Sequence, residues 1–162
     1  MDYSFLFGIL VVLFFIFLVL IIINKLIFKP KYPYYKNPYF ISLAERSFFN
    51  ILKTIVEDKY YIFSQVSLNS LLKVNMKGKE YWEYVNKIRQ KSVDFVLVDK
   101  TNFNPILVIE LDDRSHALKY RKQRDEFLEE SLNNAGIKYL RVKNQSSYNT
   151  TELKETIFSS IS

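Results

Sequence analysis

Two runs of sequence decide the fold: VDFVLV at residues 93–98 and ILVIELDDRSH at residues 106–116. Both are apolar and rich in β-branched residues, which favours buried strands. Each nevertheless contains acidic residues, and Glu110 and Asp112, two apart on a strand, project to the same face. If Asp94 lies on the neighbouring strand, three carboxylates converge, and such a group repels itself unless a cation or a proton neutralises it. We therefore expect a functional site here.

The sequence on either side of these strands predicts helices and strands in alternation. Ser42 and Glu45 match a capping box, so a first helix begins at Ser42 with an apolar stripe along one side. Within residues 67–91 the sequence predicts a turn at Gly78 and leaves open a further helix before the next strand. The remaining predicted elements are a strand at 60–66, a hairpin turn at 101–105, a helix at 117–135 capped by Gly136, a strand at 137–142 and a helix at 152–161. This order implies an α/β domain with a central mixed sheet flanked by helices.

The composition excludes several kinds of site. The chain has 162 residues, with no cysteine, one histidine and three glycines. Disulfides, thiolate zinc sites and multi-histidine metal centres are therefore excluded, and no glycine-rich phosphate loop fits. Any metal would be a hard ion held by oxygen, such as Mg²⁺ or Mn²⁺. The net charge of +6 favours a polyanionic partner, either nucleic acid or anionic lipid.

The N-terminal segment predicts a membrane anchor. Residues 5–23 are uncharged and, apart from Gly8, all apolar, and a helix of that length roughly spans the hydrocarbon core. A cleaved signal peptide is the competing interpretation, but no lysine or arginine precedes the run and no small-residue cleavage site follows it. Lysines follow the run at positions 25, 29, 31 and 36, so the positive-inside rule places the C-terminal domain in the cytoplasm. We therefore expect a single-pass protein of the inner (cytoplasmic) membrane.

These observations divide the chain into three parts. Residues 1–28 form the transmembrane anchor, and residues 41–162 form the α/β domain. Between them, residues 29–40 hold three prolines among tyrosines and lysines. This composition predicts an extended, fairly stiff linker that can lie along the membrane interface.

The order of elements, with an aspartate on one strand and a glutamate on the next, resembles the core of the PD-(D/E)xK nuclease superfamily. The closer resemblance, over residues 41–160, is to a bacterial family catalogued as domain of unknown function 2726. The most specific segment is VIELDDRSH at 108–116, which is also similar to the E-x-D-G…H block of very-short-patch-repair-type endonucleases, with Asp113 where glycine is usual. The other matching segments are LAER at 43–46, FSQV at 63–66, VDFVL at 93–97, Arg121, Arg124, Asp125, and AG…LRV at 135–142. The resemblance implies a restriction-endonuclease-like fold following a single transmembrane helix.

The resemblance also implies a metal site and a reaction. Asp94 and Glu110 would bind a divalent metal, with the main-chain carbonyl of Leu111 as a further ligand. The metal, Mg²⁺ or Mn²⁺, would act as a Lewis acid on a phosphodiester and help to generate hydroxide from bound water. Asp112 and His116 complete the set of candidate catalytic residues.

Two residues are ambiguous in this comparison. Asp112 occupies the position of the superfamily lysine, which orients the attacking water and offsets charge in the transition state. Either His116 serves as the base instead, or a basic residue of the following helix replaces the lysine; the candidates are Lys119, Arg121, Lys122 and Arg124. Glu45 lies in the first helix, where a glutamate can touch the metal in nucleases of this kind, although the capping box already explains it.

The sequence therefore supports two functions. The first is a membrane-anchored cytoplasmic nuclease-like protein that hydrolyses phosphodiester bonds of nucleic acid with Mg²⁺. The alternative, motivated by the missing lysine, is a catalytically inactive nuclease-fold module that binds nucleic acid or a protein partner at the membrane. The candidate nucleic-acid contacts are Lys87, Arg89, Lys91, Arg121 and Arg124.

Overall fold

The helices and strands follow the hydrophobic pattern of the sequence. The computed structural model describes residues 3–27, 32–112 and 118–162, the side chains of 118–125 excepted. The elements are α1 (Tyr3–Ile27), α2 (Leu43–Val56), β1 (Tyr60–Ser67), α3 (Leu68–Leu71), α4 (Lys79–Arg89), β2 (Ser92–Asp99), β3 (Pro105–Asp112), α5 (Leu118–Asn134), β4 (Lys138–Lys143) and α6 (Thr150–Ile161). The chain divides into two units, Met1–Pro38 and Tyr39–Ser162.

The first unit contains α1, a helix without a polar face. Its most apolar stretch has a mean hydropathy of 3.6, and its large side chains are exposed along the whole length. At a rise of about 1.5 Å per residue, 25 residues extend roughly 38 Å. The helix is therefore long and apolar enough to cross a bilayer.

The second unit is built on a four-stranded sheet in the order β1-β2-β3-β4. β1 pairs antiparallel with β2, β2 antiparallel with β3, and β3 parallel with β4 across α5. The predicted mixed sheet is confirmed, and so is the hairpin between β2 and β3. In that hairpin the Asp99 Oδ1 atom accepts hydrogen bonds from the main-chain N–H groups of Thr101 at 2.7 Å and Asn102 at 3.1 Å.

Helices cover both faces of the sheet because its central strands are apolar on both sides. Phe95 and Leu97 of β2 belong to a first core cluster, with buried residues of α2 and α6. Val96 and Val98 alternate with them and belong to a second cluster, with buried residues of α3, α4 and α5. The period of two along β2 therefore separates two hydrophobic cores, as expected for an α/β sheet.

Two helix boundaries were predicted from their caps. The Ser42–Glu45 capping box is present, with reciprocal side-chain to main-chain hydrogen bonds. Gly136 has the positive φ of 77° that a glycine after α5 was expected to adopt. Residues 67–91 hold α3 and α4, where the sequence predicted a turn and left one helix open. In α4, Ile88 is buried and Tyr81 and Val85 are half-buried, so one side of the helix faces the core.

Candidate functional site

One end of the sheet brings together the acidic residues singled out in the sequence. β1 and β3 run antiparallel to β2, and β4 runs parallel to β3. The last residues of β1, β3 and β4 therefore lie at the same end of the sheet as the first residues of β2. Gln65, Asp94, Glu110 and Asp112 lie at this end, which we call the acidic end of the sheet. Gln65, Asp94 and Glu110 are distant in sequence, so the topology of the sheet brings them to one end.

Asp94 and Glu110 occupy adjacent positions on neighbouring strands. The final register pair between β2 and β3 at this end is Phe95 with Ile109, so the next positions along the two strands are Asp94 and Glu110. The half-buried Asp94 accepts a hydrogen bond at Oδ2 from the main-chain N–H of Leu111, over 2.8 Å. The carboxylate of Asp94 therefore accepts from β3 in place of a main-chain carbonyl of β2. This charge-assisted hydrogen bond holds Asp94 against β3.

Glu110 is half-buried, and its Oε1 atom is shielded from solvent. It projects to the same face of β3 as Val108, which packs in the second core cluster with residues of α5. Its register partner on β4 is Arg141, whose guanidinium donates a hydrogen bond to the Tyr139 hydroxyl at 3.1 Å. Withdrawing a carboxylate from water costs free energy, which a cation or hydrogen bonds must offset. Glu110 therefore has the burial that is typical of functional acids.

Asp112 does not complete a three-carboxylate group. It is half-buried, lies in register with Lys143, and its main-chain carbonyl accepts from the N–H of Asn144 at 3.1 Å. Among residues 3–27, 32–112 and the described side chains of 118–162, no group of three or more acids and histidines has a metal-binding arrangement. The expected convergence of three carboxylates is therefore not found there. A strand rises about 3.3 Å per residue, which separates Asp112 from Glu110 by roughly 7 Å along β3.

Gln65 is a residue of the acidic end that the sequence did not identify as functional. It lies on β1 between the register pairs Ser64–Phe95 and Val66–Val93, and so opposite Asp94. Its φ is 54°, in the left-handed region that non-glycine residues rarely adopt. The available signal was an amide between Ser64 and Val66 in a strand that is otherwise mostly apolar and aromatic.

Glu45 connects the first helix to the same end of the sheet. One of its carboxylate oxygens, Oε2, accepts from the main-chain N–H of Ser42 to close the capping box. The other, Oε1, accepts from the side-chain amide of Gln65. Glu45 therefore fixes both the start of α2 and the side chain of Gln65, which confirms the capping interpretation.

Comparison with protein families concerns the second unit. Residues 38–161 match the family model described as a protein of unknown function (DUF2726). The chain belongs to the DUF2726 family. The matched region starts one residue before the second unit, and α1 lies outside it. No curated protein and no solved structure matches the chain significantly. The family predicted from VIELDDRSH is confirmed, and the resemblance to nucleases stays a prediction.

His116 lies outside the described residues, and so do the side chains of the basic candidates in α5, which are Lys119, Arg121, Lys122 and Arg124. His116 falls between β3 and α5, in the undescribed residues 113–117. Arg121 and Arg124 belong to α5, whose backbone is described there without their side chains. Their proposed roles at the acidic end stay predictions.

The other basic candidates of the DUF2726 domain lie on or just after α4. The Nζ atom of Lys87 is 2.8 Å from the Oε1 atom of Glu83, and this hydrogen bond lowers the pKa of Glu83 and raises that of Lys87. The Nζ atom of Lys91 donates to the Lys87 carbonyl and lies 5.2 Å from the centre of the Phe127 ring. Arg89 is exposed. These contacts give both lysines a structural role, so Arg89 is the most accessible of the three for a phosphate.

Proposed function

We propose that residues 39–162 form a metal-dependent phosphodiesterase domain that acts on nucleic acid, tethered to the cytoplasmic membrane by α1. The observation that supports this proposal best is the pair Asp94 and Glu110. Both carboxylates are half-buried, and they extend from adjacent positions of two paired strands. A shared cation would offset the repulsion between two such neighbours and the cost of their burial.

The donor set fits a hard divalent cation. The carboxylates of Asp94 and Glu110, with the main-chain carbonyl of Leu111, would hold Mg²⁺ or Mn²⁺, which prefer oxygen ligands. When bound, the metal would supply Lewis-acid activation of a phosphodiester and a hydroxide at neutral pH. The Leu111 N–H donates to Asp94. This bond would orient a ligand carboxylate, in the manner of outer-shell contacts at metal sites.

The protein would need a further positive group to stabilise charge on the phosphate. Asp112 lies where the nuclease superfamily has lysine, and an acid cannot perform that task. The second core cluster contains Leu128 and Leu132 of α5 together with Val108 of β3, so α5 packs against the face from which Glu110 projects. Basic residues earlier in α5, Arg121 and Arg124 among them, are our candidates for this role.

Membrane tethering is the second part of the proposal. It is supported by the length and hydropathy of α1 and by the lysines that follow it in the sequence. We expect the full chain to stay with membranes during alkaline extraction and to expose its C-terminal domain to protease only in inverted vesicles. Release of a shortened chain would instead identify the N-terminal segment as a signal sequence.

The test of the enzyme is metal-dependent cleavage by the full chain in mild detergent, using labelled DNA and RNA with Mg²⁺ or Mn²⁺. We expect Asp94→Asn and Glu110→Gln to lose on the order of 100-fold or more in rate, because each removes a metal ligand. Asp99→Asn is the matched control, since it makes the same chemical change at the other end of β2. Cleavage that persists undiminished in Asp94→Asn and Glu110→Gln would refute the proposal.

Asp112 also supports a second candidate, a module on the same fold that binds nucleic acid without cleaving it. This candidate predicts affinity that falls steeply as salt rises, because phosphate contacts release counterions. Filter binding of labelled DNA and RNA across a salt series, with cleavage measured in the same samples, separates the two candidates. Binding that is absent or independent of salt would reject the second one.

A further inference from the structure

A second surface of the Tyr39–Ser162 unit combines exposed apolar side chains with lysines. We define the basic-aromatic surface as Lys73, Met76, Lys77, Lys79 and Trp82, which lie in the segment before α4 and at its start. The Met76 side chain is 42% exposed and that of Trp82 is 63% exposed, and the three lysines are exposed as well. Large apolar groups displayed among lysines are typical of surfaces that meet the interfacial layer of a membrane.

The charge of this surface is positive and available to a partner. Residues 73–87 contain four lysines against two glutamates, a surplus of two positive charges. Glu83 is already paired with Lys87, and Glu80 lies in the first turn of α4, where it offsets the helix dipole. The positive charge that remains belongs to the lysines of the basic-aromatic surface.

An apolar cavity adjoins the same segment. It has a volume of about 400 Å³, and Met76 forms part of its wall. Val74, Tyr84, Ile88 and Phe127 also line it. The recess therefore lies beside Met76, between α4 and α5.

We propose that the basic-aromatic surface docks onto an anionic lipid bilayer, with its lysines at the headgroup phosphates and Met76 and Trp82 in the interfacial layer. Tryptophan is enriched at that depth, and lysines near an anionic leaflet are attracted to it. This inference rests on the membrane tethering proposed above, because a tether keeps the domain at a high effective concentration near the bilayer.

A lipid surface fits better than a nucleic acid as the partner here. A strand of nucleic acid would be followed by a continuous track of available cations. Beyond Trp82, Lys87 and Lys91 contact Glu83, a main-chain carbonyl and the Phe127 ring, which leaves Arg89 as the exposed cation that follows on α4. A single arginine does not make a continuous track. The exposed thioether of Met76 and the apolar cavity match acyl chains, whereas neither contributes to phosphate binding.

The test uses the full chain in lipid nanodiscs, where Trp82 is the single tryptophan and so reports on this surface alone. Discs of neutral phosphatidylcholine are compared with discs in which part of that lipid is replaced by phosphatidylglycerol, both in the presence of EDTA. We expect Trp82 emission to shift to the blue and to lose acrylamide quenching in the anionic discs only. The combined substitution Lys73→Gln, Lys77→Gln and Lys79→Gln should reduce the ratio of docked to undocked protein on the order of 100-fold.

The matched control is the combined substitution Lys138→Gln, Lys143→Gln and Lys154→Gln, which removes the same charge from exposed positions elsewhere and should leave the emission unchanged. Identical emission of the wild-type chain in both kinds of disc would overturn the proposal. So would an emission change that requires added DNA or RNA. A chain that fails to enter the discs would refute both tethering and docking. Because EDTA is present, failure of the metal-dependent activity cannot affect these results.

Discussion

Strand β2 has an aspartate near each end, and the two carboxylates have different surroundings. Asp99 accepts from the main-chain N–H groups of Thr101 and Asn102, in the turn that follows it directly. Asp94 accepts from the N–H of Leu111, on the next strand, and lies next to Glu110 in the register. The first arrangement closes a hairpin, whereas the second leaves two acids side by side at the acidic end.

The difference separates an acid that its own turn explains from an acid at the proposed metal site. Asp99 is explained completely by its own turn, because aspartate commonly bonds the main chain two or three residues on. Asp94 accepts a hydrogen bond from the main-chain N–H of Leu111, which is distant in sequence, and it also lies next to the carboxylate of Glu110. A local turn would not require that repulsive arrangement, so the acidic end is where a ligand is expected.

The largest expected effect concerns the centre of the strand. Phe95 lies between Asp94 and Asp99 in the sequence, and its side chain is fully buried. Phe95→Ala should therefore lower the free energy of unfolding by about 3–5 kcal/mol. Phe103→Ala, in the exposed hairpin, is the matched control and should cost about 1 kcal/mol, the value of its stacking on Tyr61 at 5.3 Å. Urea denaturation of the full chain in mild detergent measures both. Equal losses would contradict the assignment of the core to this strand.

The next effect tests the acidic end directly. Saturating Mn²⁺ should stabilise the wild-type domain by about 2.7 kcal/mol at a concentration 100 times the Kd. Asp94→Asn should abolish this gain, and Asp99→Asn should retain it, because only the former changes a proposed ligand. Thermal unfolding with and without Mn²⁺ is the measurement. If both variants respond like the wild type, the two ends of β2 are equivalent and the comparison fails.

A smaller effect is expected at the hairpin. Asp99→Ala removes two hydrogen bonds to exposed main-chain groups and should cost on the order of 1 kcal/mol in unfolding free energy. Asp99→Asn keeps an acceptor in the same place and should cost only a few tenths of that. Urea denaturation again provides the values, and a large loss in Asp99→Asn would assign a role to the charge itself.

The smallest effect lies on α4, away from both aspartates of β2. The hydrogen bond from Lys87 lowers the pKa of Glu83, so Glu83 should titrate below the usual glutamate pKa of 4.5. The stabilisation that the Glu83–Lys87 pair gives the folded state is complete above pH 4.5 and is lost as the pH falls through the folded-state pKa of Glu83. The Lys87 pKa is raised, so on the alkaline side the loss begins above 10.5. NMR titration should show the Glu83 pKa returning towards 4.5 in Lys87→Gln but not in Lys79→Gln.

Much of the fold was predictable because the relevant interactions are local. The capping box at Ser42, the turn after Asp99 and the cap at Gly136 each depend on residues within a few positions in the chain. The alternation of apolar residues in β2 and β3 likewise predicts buried strands from short windows. By contrast, the bounds of α4 were not predicted, because the three residues that it turns to the core, Tyr81, Val85 and Ile88, lie among charged and exposed ones.

The candidate site was predictable only in part. The acids Asp94 and Glu110 stand out because they interrupt apolar strands, and that signal is present in the sequence. Their adjacency depends on the register between β2 and β3, and the contact of Gln65 with Glu45 joins residues far apart in the chain. The sequence also suggested that Asp112 would join them, which the described residues do not bear out.

By itself, the sequence determined the apolar N-terminal helix, the alternating strands, the caps and the membership of the DUF2726 family. Each of these depends on composition or on patterns a few residues long. Only the tertiary structure decided which side chains meet at the acidic end and which lysines are held by neighbours. Strand register and helix packing result from the combined burial of the whole core, and no short window contains that information.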